Sequence, residues 1–138
     1  MSWWRRRPSE RHSRRWSHPK VGELSWRGDA WTGVLRLEGN TTSPSTDIAI
    51  FSPEISDSVL SVLLAFQQQA EQTLTAARRA LAREYPELVS AEAPALEDVW
   101  FDPTGAIELH FALPATWPDA MLRVRMLDAE VLEVQSDD

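Results

Sequence analysis

One amphipathic stretch constrains this chain more than any other feature. From Ile55 to Tyr85 the apolar positions Ile55, Val59, Val62, Leu63, Phe66, Ala70, Leu74, Ala77, Leu81 and Tyr85 recur at steps of three and four. That spacing lines one face of an α-helix. The other face carries Gln67, Gln68, Glu71, Gln72, Thr75, Arg78, Arg79 and Arg83. Ser52-Pro53-Glu54 reads as the start, with serine as cap, proline in the first turn and glutamate at the positive end of the dipole. Pro86 disfavours helical geometry at Tyr85 and marks the end. A helix of this length spans about 45 Å, so a bend is expected near Gln67–Thr75. Its apolar stripe needs a partner, and the rest of the chain offers strands.

Before the helix, Glu23–Trp26 reads as a short strand and Arg27, Gly28 and Asp29 as a turn. Trp31–Glu38 alternates, with Trp31, Gly33, Leu35 and Leu37 on one face and Thr32, Val34, Arg36 and Glu38 on the other. Asp47–Phe51 is a third strand. After the helix come four strand-like runs: Leu96–Phe101, Ala106–Leu113, Met121–Leu127 and Glu130–Gln135. Asp102-Pro103-Thr104-Gly105 has the signature of a type I turn, and Asp128-Ala129 is a two-residue connection. Ile107, Leu109, Phe111 and Leu113 face in, whereas Glu108, His110 and Ala112 face out. Trp100 and Phe101 point to opposite faces, and Trp117, between Pro114 and Pro118, falls in a loop. The expected fold is α+β: an antiparallel sheet in the order β-β-β-α-β-β-β-β, with one long amphipathic helix packed on one face. Residues 20–138 are expected to form one domain.

Residues 1–19 are read as a basic, Trp- and Arg-rich disordered tail. Trp3, Trp4 and Trp16 stand among six arginines with almost no aliphatic residues. Such a segment has little apolar surface to offset its ordering entropy. It reads either as a disordered leader or as an anchor that uses arginine for phosphates and tryptophan for stacking or a membrane interface. The charge is divided sharply. Residues 1–20 hold seven of the 14 Lys and Arg residues and one acid, Glu10, a balance of +6. The remaining residues hold seven bases and 20 acids, a balance of −13, giving −7 in all. An acidic body repels nucleic acid and attracts basic proteins.

The chain has no cysteine, which removes disulfides, thiolate metal sites and cysteine nucleophiles together. No apolar run reaches the roughly 18 residues of a membrane span. The arginine pairs near the N-terminus lack the apolar segment of a secretory or twin-arginine signal. A cytoplasmic protein is expected. Of three histidines, His12 and His18 lie in or beside the tail and His110 in the body. No nucleophile elbow, metalloprotease motif, phosphate loop or dinucleotide fingerprint accompanies them, and no cofactor is called for. One constellation offers chemistry: Glu108 and His110 share a strand face, and Asp98 lies across the Asp102–Gly105 turn. Two carboxylates and an imidazole suit a metal or a weakly supported enzymatic site, or simply a polar sheet face. The binding candidates are Trp117, which reads either as an exposed loop anchor or as a packed lid over a sheet edge, and the C-terminal acids Asp119, Asp128, Glu130 and Glu133.

His18-Pro19 followed by Gly22, Leu24 and Trp26, then Trp31 and Gly33, resembles the opening of a group of small uncharacterised bacterial α+β proteins. Their pattern runs H-P-x-x-G-x-L-x-W, then W-x-G. Some are grouped with immunity proteins of toxin systems. The resemblance covers about 16 residues and carries over no catalytic residue. It implies an α+β fold and, with the acidic body, a small binding protein of immunity type that covers a basic toxin or effector. A structural or self-assembling protein without catalysis is the other reading.

Overall fold

The computed structural model describes residues 14–39, 44–89, 94–113 and 117–137. Four strands open the described chain: β1 (Arg15–His18), β2 (Gly22–Trp26), β3 (Trp31–Arg36) and β4 (Ser45–Ile50). Three helical segments follow, α1 (Asp57–Gln68), α2 (Ala70–Glu84) and the single turn α3 (Pro86–Val89). Four strands close it: β5 (Ala95–Phe101), β6 (Ile107–Leu113), β7 (Trp117–Leu127) and β8 (Glu130–Asp137). They lie in sequential order in one eight-stranded sheet.

The mixed α+β architecture and the mostly antiparallel sheet match the expectation from sequence, but two features correct the expected order. The first is β1, which lies inside the segment read as tail. Arg15–His18 pairs with Gly22–Ser25, and the Trp26 amide donates to the Arg14 carbonyl at 3.0 Å. Trp16 packs on the core while its ring stacks on His18, centroids 5.9 Å apart. The expectation for residues 1–13 falls outside the described residues. The second is the pairing of β4 with β5, which is parallel. The helical segments carry the chain from the end of β4 back to its starting end, and a strand entered after such a crossover runs parallel to its predecessor. Two antiparallel four-stranded meanders thus meet at one parallel seam.

The helix begins one turn later than Ser52-Pro53-Glu54 implies. Ser56 is the cap, its Oγ accepting from the Val59 amide at 3.3 Å. Ser52 instead closes a local turn onto the Glu54 carbonyl, and the Pro53 carbonyl accepts from the Trp31 indole at 3.3 Å. The expected bend is a break at Gln69 (φ −109°, ψ 22°) between α1 and α2. The helical stripe is the core as read: Val59, Leu63, Phe66, Ala70, Leu74, Ala77 and Leu81 are buried against Leu35, Ile48, Val99, Phe101, Leu109, Phe111, Leu122 and Val124. Gln67 departs from its expected outer position. It is buried, and its Nε2 donates to the Lys20 carbonyl at 2.8 Å and the Arg36 carbonyl at 3.0 Å. One side-chain amide thereby ties α1 to the ends of two loops, a role that apolar periodicity does not register.

The residues carrying the H-P-x-x-G-x-L-x-W and W-x-G pattern have structural work. The His18 Nδ1 accepts from the Lys20 amide at 3.0 Å, and Gly22 adopts φ 91° at the start of β2. Leu24 and Trp31 are buried. A Cβ at Gly33 would sit 2.6 Å from Leu24 Cδ2 and 2.9 Å from the Glu23 carbonyl, so only glycine allows β2 and β3 to approach there. Asp102–Gly105 is the turn read from sequence, with the Gly105 amide on the Asp102 carbonyl at 3.2 Å and Gly105 at φ 96°.

Candidate functional site

Alternation sorts the sheet into a face under the helices and a face turned away from them. Strand register converts that alternation into rows. One row across the outward face reads Val34, Asp47, Asp98, His110, Arg123 and Gln135. The next reads Thr32, Ala49, Trp100, Glu108, Arg125 and Glu133. In the second row Glu108, Arg125 and Glu133 alternate in sign, the arrangement in which cross-strand charges attract, whereas the first sets Asp47 beside Asp98 and His110 beside Arg123.

At the centre the structure brings together Asp98, Glu108 and His110, as the sequence anticipated. His110 Nδ1 lies 2.6 Å from Asp98 Oδ1, and Nε2 lies 2.8 Å from Glu108 Oε1. His110 is only 5% exposed. Burial pushes the imidazole pKa down, but the hydrogen bonds and charges of Asp98 and Glu108 together outweigh it, and the net shift is upward. Both nitrogens donate when the ring is an imidazolium, so the buried cation stands between two anions. Arg123 Nη1 approaches Glu108 Oε1 at 3.6 Å, and Arg125 pairs with Asp102 at 3.3 Å.

This geometry limits the chemistry. A metal-ligating imidazole needs a free lone pair, and a catalytic base needs a nitrogen open to substrate. His110 has both nitrogens engaged by carboxylates. Among the described residues no group of three or more His, Cys, Asp or Glu side chains is arranged to hold a metal ion.

Beside the network stands Trp100, 40% exposed, an outward residue of β5 like Asp98. Its Nε1 donates to Asp98 Oδ2 at 3.1 Å. Its ring meets Phe51 edge-on at 5.0 Å between centroids and His110 at 4.5 Å. The indole is thus fixed on two sides and open on the third. A cleft of about 190 Å³ next to it is lined by Phe51, Asp102, Glu108 and Arg125 among others. The sequence marked Trp100 only as facing away from Phe101; its partner Asp98 lies two residues back on the same strand face, a spacing that was there to be read.

The other candidates lie elsewhere. Trp117 and Asp119 fall in β7 rather than in a loop, Trp117 pairing through its backbone with Leu113, and their side chains are outside the described residues. Asp128 is exposed in the β7–β8 turn, and Glu130 and Glu133 are exposed along β8, an edge of the sheet. Charge on an edge strand, together with the bulge that leaves Leu132 unpaired in the register, discourages pairing with other chains. Among the described residues no helix is long and apolar enough to cross a membrane. No protein-family model, curated protein or solved structure matches the chain.

Proposed function

We propose that the chain is a protein-binding domain that receives a basic partner on the outward face of its sheet, as an immunity-type inhibitor covers a basic effector. Trp100 carries the reading. An exposed tryptophan in the middle of a sheet, locked by Phe51, His110 and Asp98, offers rigid contact area with little entropy left to lose. Indole faces attract arginine and lysine; the acids beside it, Asp98, Asp102 and Glu108, are already paired with His110, Arg125 and Arg123, so the attraction rests on the indole and on the net charge. The net charge of −7 draws a cationic partner and orients its approach. The acids of β8 add to that field and guard the sheet edge.

Capture from the native host with the full chain, followed by stopped-flow binding to the partner identified, tests the proposal. Trp100→Ala is expected to weaken binding by at least about 2 kcal/mol, the scale of an interface hot spot. The on-rate is expected to fall as salt rises. A partner bound equally by Trp100→Ala, with an on-rate indifferent to salt, removes this face from the function.

A further inference from the structure

We propose that the chain also binds a small organic cation, in a cavity on the helix side of the sheet and independent of the Trp100 face. The break between α1 and α2 leaves a space of about 290 Å³ against the β5–β6 and β7–β8 turns. Its apolar lining is Val62, Phe66, Ile107 and Met126; its polar groups are Gln69, Thr73 and Asp128. Apolar walls with a few polar groups are the composition of small-molecule sites, and the volume lies at the low end of their range, about 300–1,000 Å³.

The polar groups name the ligand class. Among the described residues no lysine, arginine or histidine lines the cavity. Asp128 is exposed and makes no ion pair among the described residues. Asp128 at φ 50° and Ala129 at φ 67° form the two-residue turn between β7 and β8, a conformation that aspartate and asparagine both adopt, so the carboxylate can be neutralised there without disturbing the turn. Asp128 beside apolar walls suits an ammonium head on a short apolar body. Anions are disfavoured by Asp128, with no cation beside it among the described lining residues.

An amide-resolved NMR titration of the full chain with phenethylammonium chloride tests the site, with phenethyl alcohol and phenylacetate as neutral and anionic counterparts. Saturable shifts are expected at Gln69, Thr73, Gly105 and Ala129 with the cation, with at least about tenfold weaker binding of the alcohol and none of the acid. Asp128→Asn keeps the shape, and asparagine tolerates positive φ as aspartate does, so it folds; it is expected to weaken the cation about tenfold or more. Ala65→Phe, at an exposed helix position beside the mouth, is expected to abolish binding. The proposal is overturned by the absence of saturable shifts up to about 10 mM cation, by equal binding of the alcohol, by indifference to Asp128→Asn, or by binding that survives Ala65→Phe.

Discussion

Replacing His110 by glutamine tests whether a buried imidazolium holds the centre of the outward face together. In the native protein each ring nitrogen meets a carboxylate, at 2.6 and 2.8 Å. Hydrogen bonds to charged groups contribute about 1.5–3 kcal/mol each. Glutamine keeps a single amide donor group in reach of one carboxylate and supplies no charge. One charge-assisted bond is lost and the other weakened. The Asp98 and Glu108 side chains are 34% and 24% exposed, so water and Arg123 take up part of the freed capacity. The net loss is expected near 2–3 kcal/mol rather than the sum of both bonds. It should also depend on pH with a defined sign. The folded-state pKa of His110 is raised above the ordinary value of 6.5. Its contribution is therefore fully present below the unfolded value and is lost as pH rises through the folded one. Urea unfolding of both proteins at about pH 5.5, 7 and 9 should show the stability difference shrinking from acid to alkaline, with the urea slope unchanged. A difference constant across that range means that His110 contributes as a neutral ring, and the ion-pair account fails.

Three further outcomes follow from packing. Phe66→Ala, which removes a buried ring set edge-on to Phe101 at 5.8 Å, is expected to cost about 3–5 kcal/mol, while Gln68→Ala on the exposed face should stay within about 0.5 kcal/mol by chemical denaturation. Gly33→Ala should destabilise by about 1–3 kcal/mol, because the β2 backbone has to move; a neutral effect means β2 and β3 are farther apart than described. Deleting residues 1–18, which leaves the Lys20 carbonyl that accepts from Gln67, should cost about 2 kcal/mol through the loss of Trp16 packing and the β1 ladder, and an unchanged melting temperature would show that β1 is dispensable.

Local patterns were legible where local physics decides. The helical stripe predicts the buried residues of α1 and α2 because a core helix has one apolar face. The Asp102–Gly105 turn fixes the β5–β6 register: Phe101 opposite Ile107 puts Trp100 opposite Glu108 and Asp98 opposite His110. The network could therefore be anticipated from a turn and an alternation. Gln67 was not legible, since its partners are carbonyls 31 and 47 residues away. The parallel seam was not legible either, because a connection of that length reveals no direction until both strands are placed. The β1 strand hid behind composition. Arg15-Trp16-Ser17-His18 lacks aliphatic residues, and what makes it a strand is the waiting edge of β2 and the aromatic surface of Trp16.

Sheet order also changes which residues deserve the functional reading. Along the sequence, the acids of the last two strands form the densest cluster, and Trp100 is one tryptophan of seven. In the sheet, those acids lie at a turn and along a free edge, where like charge has a sufficient reason in preventing edge-to-edge association. Trp100 lies on a strand with neighbours on both sides. There edge protection explains nothing, and a threonine or lysine would satisfy the outward position without exposing an indole. The surrounding groups spend hydrogen bonds and ring contacts on fixing that indole rather than covering it. A side chain held rigid and left partly open is what an interface anchor requires, and the proposed binding face therefore lies at the middle of the sheet rather than at its acidic edge.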